Sequence, residues 1–124
     1  MIRGPILITG GAGFIGSCLA RSLSGRHPHA RIWALDSLHP QVHGDNACDP
    51  VTPERVEFVR GDIRDQELLD DLLGSIKPRL IYHFAAETGT GQSYDEIVRY
   101  CDVNVTGTAR LIEAVRRRSS GITN

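Results

Sequence analysis

Four short apolar runs divide this chain, and between them the apolar positions recur at helical spacing. Ile6 to Thr9 reads as a first strand. Phe14 to Arg26 follows as a helix, with Ile15, Leu19 and Leu23 four apart on one face, and His27-Pro28 stops it. Arg31 to Asp36 is a second strand. A polar stretch from Ser37 to Arg55 then holds three prolines and no helical period, so it reads as a long loop, a kind that is usually functional. Val56 to Arg60 is a third strand. Asp65 can cap a helix whose core face is Leu68, Leu69, Leu72, Leu73 and Ile76, ended by Lys77-Pro78. Arg79 to Ala85 is a fourth strand, and Glu87 to Gln92 a second loop of small residues. Ser93 or Asp95 can cap a last helix carrying Ile97, Cys101, Val105, Thr108, Ile112 and Val115, with Ser119-Ser120-Gly121 at its end. Gly107 within it marks a close helix contact rather than a break.

Apolar strands alternating with helices imply a parallel sheet covered on both faces, a doubly wound α/β fold. Right-handed crossovers place the strands in the order 3-2-1-4. A complete doubly wound domain continues beyond strand four. The chain therefore reads as one incomplete dinucleotide-binding portion over residues 1–124, truncated after four strands, with the Leu80–Phe84 edge open for pairing.

The 124 residues are 40% hydrophobic and 23% charged with a net charge of −1, which suits a globular domain and gives no overall pull toward nucleic acid or anionic membrane. Arg116-Arg117-Arg118 is the one basic run and suits a helix C-terminus. The three cysteines, Cys18, Cys48 and Cys101, have no CxxC spacing, and an odd count fits a reducing cytoplasm. No apolar run reaches the roughly 20 residues of a membrane span, and the first strand starts too early to leave room for a signal peptide.

The chemistry begins at Thr9-Gly10-Gly11-Ala12-Gly13-Phe14-Ile15-Gly16. Gly11, Gly13 and Gly16 satisfy G-x-G-x-x-G, while Gly10, Gly13 and Gly16 satisfy the overlapping G-x-x-G-x-x-G. A strand precedes them, a helix follows, and an acidic residue, Asp36, stands about 20 positions on at the end of the second strand. Those are the parts of a Rossmann-type cradle. Glycine lets a pyrophosphate approach the backbone, the helix start offers free N–H groups, and the carboxylate accepts from the ribose hydroxyls. Asp36 repels a 2′-phosphate and Ser37-Leu38 supplies no cation to offset it, which favours NAD over NADP. His39, His43, Asp45, Cys48 and Asp49 share the long loop, but their spacing matches no standard metal site, and a solvated loop facing the nucleotide is the reading adopted. His83, at a strand end, reads as a core histidine.

Together with Gly61-Asp62-Ile63-Arg64-Asp65, His83-Phe84-Ala85-Ala86 and Asn104-Val105-Thr106-Gly107-Thr108, these residues resemble the extended short-chain dehydrogenase/reductase family, and within it the NAD-dependent nucleotide-sugar epimerases and dehydratases. Two loops, His39 to Gly44 and Glu87 to Ser93, are most similar to the dTDP-rhamnose 4-epimerase type. The resemblance implies that the backbones of Phe14 and Ile15 border the pyrophosphate. It implies that Asp62 and Ile63 border the adenine, although Asp62 could also cap a helix. Ala85 and Ala86 would let the cofactor ribose lie close, Glu87 would face the nicotinamide, and Thr88 would lie near the substrate sugar. Asn104 would tie the last helix to its neighbour, or else be a solvated helix residue. A threonine that commonly contacts cofactor just before that asparagine is Val103 here.

The family's hydride chemistry uses a tyrosine and a lysine four residues later that brings the phenol into range as a base. The one lysine here, Lys77, follows Leu73 by four, and Tyr82, Tyr94 and Tyr100 are followed at that spacing by Ala86, Val98 and Asn104. The chain thus carries no Y-x-x-x-K and no assignable catalytic residue. Three roles stand open: the cofactor-binding portion of a nucleotide-sugar epimerase or dehydratase, inactive alone; a free-standing dinucleotide-binding or regulatory module; or an assembly module pairing through the strand-four edge or the final helix. The resemblance adds self-association through that helix.

Overall fold

In the computed structural model, which describes residues 4–119, the elements run β1 (Ile6–Thr9), α1 (Phe14–Arg26), β2 (Ile32–Asp36), α2 (Pro40–His43), β3 (Val56–Arg60), α3 (Gln66–Ile76), β4 (Leu80–His83), α4 (Thr90–Asp95), α5 (Ile97–Cys101), a π-helical segment (Asp102–Gly107) and α6 (Thr108–Ser119). The four strands form one parallel sheet in the order β3-β2-β1-β4, with Ile6 opposite both Ile32 and Leu80, and Ile32 opposite Val56. This is the Rossmann-type α/β arrangement that the alternation of strands and helices implies. Among the described residues, no helix is long and apolar enough to cross a membrane.

These residues cluster into two compact units, residues 4–62 with 78–84 and residues 63–77 with 85–119. The first unit contains the sheet, α1 and α2. Ile6, Leu7, Ile8 and Thr9 are all fully buried, as a central parallel strand requires. Ile6, Ile8, Ala20, Leu23, Ala30, Ile32, Ala34 and Val56 form its core, with Leu19, Phe58, Leu80 and Tyr82 packed against it. Each large side chain buried there contributes about 1.5–3 kcal/mol. β4 lies at the sheet edge, where the Tyr82 and Phe84 rings stack at 6.4 Å.

Helix α1 has the bounds its pattern predicts, but its buried face is displaced. Gly16, Ala20 and Leu23 are buried, Leu19 is half-buried and Ile15 is exposed. The first turn lies against the glycine backbone, where no side chain fits, so packing begins a turn later than the apolar spacing implied. The 37–55 loop also contains an unexpected helix. His39 Nδ1 accepts from the Gln41 amide, Pro40 opens the helix, and Gly44 closes it at φ +79°.

In the second unit α3 packs on α6. Asp65 caps α3 by accepting from Leu68 N at 3.0 Å, as its sequence predicts, and Leu69, Leu73 and Ile76 are buried. Lys77 ends the helix in the left-handed region, at φ +47°. The last helical stretch departs further from expectation. It begins at Thr90, directly after Gly89 at φ +129°, and neither Ser93 nor Asp95 caps it. It breaks at Glu96 and widens into π-helix at 102–107. Val103, Gly107, Leu111 and Ala114 are the buried stripe. Ile97, Cys101, Val105 and Ile112 are exposed, while Thr108 and Val115 are half-buried. Gly107 does mark a close contact, but with the Ile63 side chain ahead of α3. A Cβ on Gly107 would lie 2.7 Å from Ile63 Cδ1. The expected Ser119-Ser120-Gly121 stop extends beyond the described residues.

Candidate functional site

The glycine turn is built so that backbone occupies the space side chains would fill. Gly10 turns the chain at φ +68°, and Gly13 N donates back to Gly10 O at 3.2 Å. A Cβ on Gly16 would come within 2.2 Å of Gly10 O, and one on Gly11 within 2.6 Å of Ala34 Cβ. Gly13 is the N-cap of α1 and has no side chain to offer, and the first turn carries no acidic residue. Phe14 and Ile15 point outward, 86% and 61% exposed, so the amides of that turn are not crowded by their own side chains. An uncapped helix start with free N–H groups favours an anion. A cavity of about 70 Å³ beside the turn is bordered by Gly11, Ala12, Ser17, Ala34 and Val51.

Asp36 is joined to this turn. Its Oδ2 accepts from Ala12 N at 3.0 Å and its Oδ1 from Leu38 N at 2.9 Å. The carboxylate is only 10% exposed, with the His43 Nε2 atom 3.7 Å from Oδ1. An ionised carboxylate has about four acceptor positions, so two remain beside the turn. The sheet ladder extends past both strand ends here, through Gly11 N to Leu35 O and Gly61 N to Asp36 O. Thr9 Oγ1 and His83 Nδ1 lie 2.6 Å apart at the ends of β1 and β4. Burial pushes the His83 pKa down, favouring the neutral ring.

In the second unit the segment after β4 is held by the last helices. Asn104 grips both backbone groups of Glu87, accepting from its N at 2.8 Å and donating to its O at 3.0 Å. The Glu87 carboxylate accepts from Arg99 Nη2 at 2.8 Å and is 10% exposed. Arg99 also pairs with Glu96, and its pKa is raised, first by the hydrogen bond to Glu87. Tyr100 donates its hydroxyl to Thr88 O at 3.1 Å. Asn104 is therefore the tie that the resemblance implied and not a solvated residue. It projects from the π-helical segment, a distortion frequent at functional sites. Asp62 is half-buried, Ile63 buried, Ala85 half-buried, and Ala86 and Thr88 are exposed.

Of the residues singled out from sequence, the structure joins Gly10, Gly11, Gly13 and Gly16 to Asp36 through the Ala12 amide. It puts Glu87 and Thr88 under the grip of Arg99, Tyr100 and Asn104. Sequence reading missed His43 as a neighbour of Asp36. Pro40 at a helix start and Gly44 at its end were the available signal. Arg99 and Tyr100 gave no sequence signal.

The family model described as GDP-mannose 4,6 dehydratase matches residues 7–123. The chain belongs to the GDP-mannose 4,6 dehydratase family. Among curated members, a dTDP-L-rhamnose 4-epimerase of Burkholderia thailandensis is 48% identical over 111 residues, covering 89% of this chain and 30% of that protein. A dTDP-glucose 4,6-dehydratase of Mycobacterium tuberculosis is 35% identical over 112 residues, covering 90% of this chain and 33% of that one. The crystal structure of Thermus thermophilus UDP-glucose 4-epimerase in complex with NAD matches with a TM-score of 0.78 at 32% identity, over 91% of this chain and 34% of the other. This member of the GDP-mannose 4,6 dehydratase family thus spans about a third of the length of these relatives.

Proposed function

We propose that this chain is the NAD-binding portion of a nucleotide-sugar epimerase or dehydratase and is catalytically inactive alone. The observation that carries the reading is the Asp36 carboxylate bonded to the Ala12 amide inside the glycine turn, which sets a ribose acceptor beside a phosphate cradle. Gly10, Gly11, Gly13 and Gly16, with the backbones of Phe14 and Ile15, receive the pyrophosphate. Asp36 takes the adenine ribose and excludes a 2′-phosphate. Asp62 and Ile63 border the adenine. Ala85 and Ala86 lie against the ribose, Glu87 faces the nicotinamide side, and Thr88 contacts the sugar. NAD, when bound, supplies the hydride acceptor for C4 of the sugar in full-length relatives, and this chain's residues hold and orient it. The absence of any Y-x-x-x-K supports inactivity of the chain alone. Free, exposed Cys18, Cys48 and Cys101 support a cytoplasmic setting.

Titration calorimetry tests this. The chain binds NAD and loses at least about tenfold in affinity in Asp36→Ala, while NADP binds more weakly than NAD. Mixed with NAD and a nucleotide-sugar, it produces no absorbance at 340 nm. Absence of NAD binding would overturn the assignment, and NADH formation would overturn the inactivity.

A second reading concerns assembly. Exposed Ile97, Val98, Val105 and Ile112 along the last helices, and the edge position of β4, support self-association through one of these two surfaces. Sedimentation equilibrium of the chain and of Ile97→Glu/Val105→Glu distinguishes them. A monomer unaffected by concentration would remove both, and a dimer insensitive to the helix substitutions would leave the β4 edge.

A further inference from the structure

The 3.7 Å gap between His43 Nε2 and Asp36 Oδ1 is too long for a direct hydrogen bond, yet both side chains are largely buried, at 19% and 10% exposure. The position of His43 is built into the fold. α2 is capped by His39, opened by Pro40 and closed by Gly44 in the left-handed region, which brings the imidazole back over the end of β2. Asp36 Oδ1 already accepts from Leu38 N, leaving one acceptor position on that oxygen. A single oxygen can sit at ordinary hydrogen-bond distance, about 2.7–2.9 Å, from both atoms across a gap of this size. To satisfy both it must donate to the carboxylate and accept from the imidazole N–H. A hydroxyl does this; a phosphate oxygen has no proton to donate, and a methylene has neither function.

We propose that His43 is a second specificity residue of the nucleotide site, donating from Nε2 to the adenine-ribose 2′-hydroxyl while that hydroxyl donates to Asp36 Oδ1. The inference rests on the reading of this chain as an NAD-binding portion. Asp36 alone repels a 2′-phosphate and loses one accepted hydrogen bond to a 2′-deoxyribose; with His43 beside it, two hydrogen bonds depend on the hydroxyl. A site that hydrogen-bonds a substrate hydroxyl from both sides leaves two polar groups unmatched when the hydroxyl is missing, which is how such sites discriminate most sharply.

The test is calorimetry with NAD and its adenosine-2′-deoxy analogue on the full chain, His43→Ala and His43→Gln. Wild type prefers NAD over the analogue by about a hundredfold. His43→Ala loses about tenfold in NAD affinity but changes by less than about twofold toward the analogue, and His43→Gln, which keeps an N–H near the Nε2 position, recovers most of the loss. α2 is a four-residue surface element, and unchanged melting temperatures confirm that the variants fold. NAD affinity unchanged in His43→Ala, or equal loss for NAD and the analogue, overturns the role of His43 and leaves the NAD assignment standing. Wild type that binds no NAD overturns both.

Discussion

Asn104 holds Glu87 by both of its backbone groups, the N–H at 2.8 Å and the carbonyl at 3.0 Å. One side-chain amide thereby does for an irregular segment what a ladder partner does for a strand. Replacing Asn104 with Ala leaves a partly buried N–H and C=O without this partner, so stability falls by about 2 kcal/mol. Asn104→Asp keeps the acceptor and loses the donor, so it falls in between. Urea unfolding measures both; equal stability of Asn104→Ala and wild type would show that water replaces the amide without loss.

Gly107→Ala tests the contact with Ile63. In an open helix the change would stabilise by roughly 1 kcal/mol through propensity. Here the new Cβ would sit 2.7 Å from Ile63 Cδ1 and 2.9 Å from Cγ1, and overpacking costs about 1–3 kcal/mol. The steric term wins, and Gly107→Ala is destabilised. Combined with Ile63→Ala the penalty of the glycine change shrinks or reverses, a non-additivity that a double-mutant cycle in urea reads directly.

The His83 ring gives the protein a defined sensitivity to acid. Burial depresses its folded-state pKa below the ordinary 6.5. As pH falls below that value the unfolded chain takes up a proton that the folded chain resists, so stability is present above 6.5 and is lost as pH drops toward the folded pKa. Urea midpoints therefore decline between about pH 7 and about pH 5 more in wild type than in His83→Gln, which removes this titration. Identical declines in the two proteins would show that His83 does not carry the effect.

Sequence reading succeeded where one local rule acted alone. The strand order follows from apolar runs and handed crossovers. Asp65 caps α3 because its side chain needs only the next turn. The bounds of α1 follow from a glycine turn before it and His27-Pro28 after it. Reading failed where two distant pieces decide jointly. Ile15 carries the right spacing for a buried face, but the helix packs through Gly16, Ala20 and Leu23, because Gly16 lies directly against the Gly10 backbone, and Ile15 is left outside. Val105 and Ile112 lie on one apolar stripe of helical spacing, but Val103, Leu111 and Ala114 offer a second, and the close approach of Gly107 to Ile63 goes with burial of that second stripe. Arg99 and Tyr100 have no motif of their own; their partners, Glu87 and Thr88, lie a dozen residues away across a break at Glu96. Asp36 was singled out by its spacing to the glycines, and it does bond the glycine turn at Ala12 N, whereas the nearness of His43 depends on a short helix hidden among loop residues.

The π-helical segment makes chain length itself a structural variable. Removing one residue between 102 and 107 would restore ordinary α-helical winding and rotate everything before it by about 100° relative to α6. Leu111 and Ala114 would keep their places against α3, while Arg99 and Tyr100 would swing off Glu87 and Thr88. A one-codon deletion would thus uncouple loop from core without altering any side chain that makes either contact.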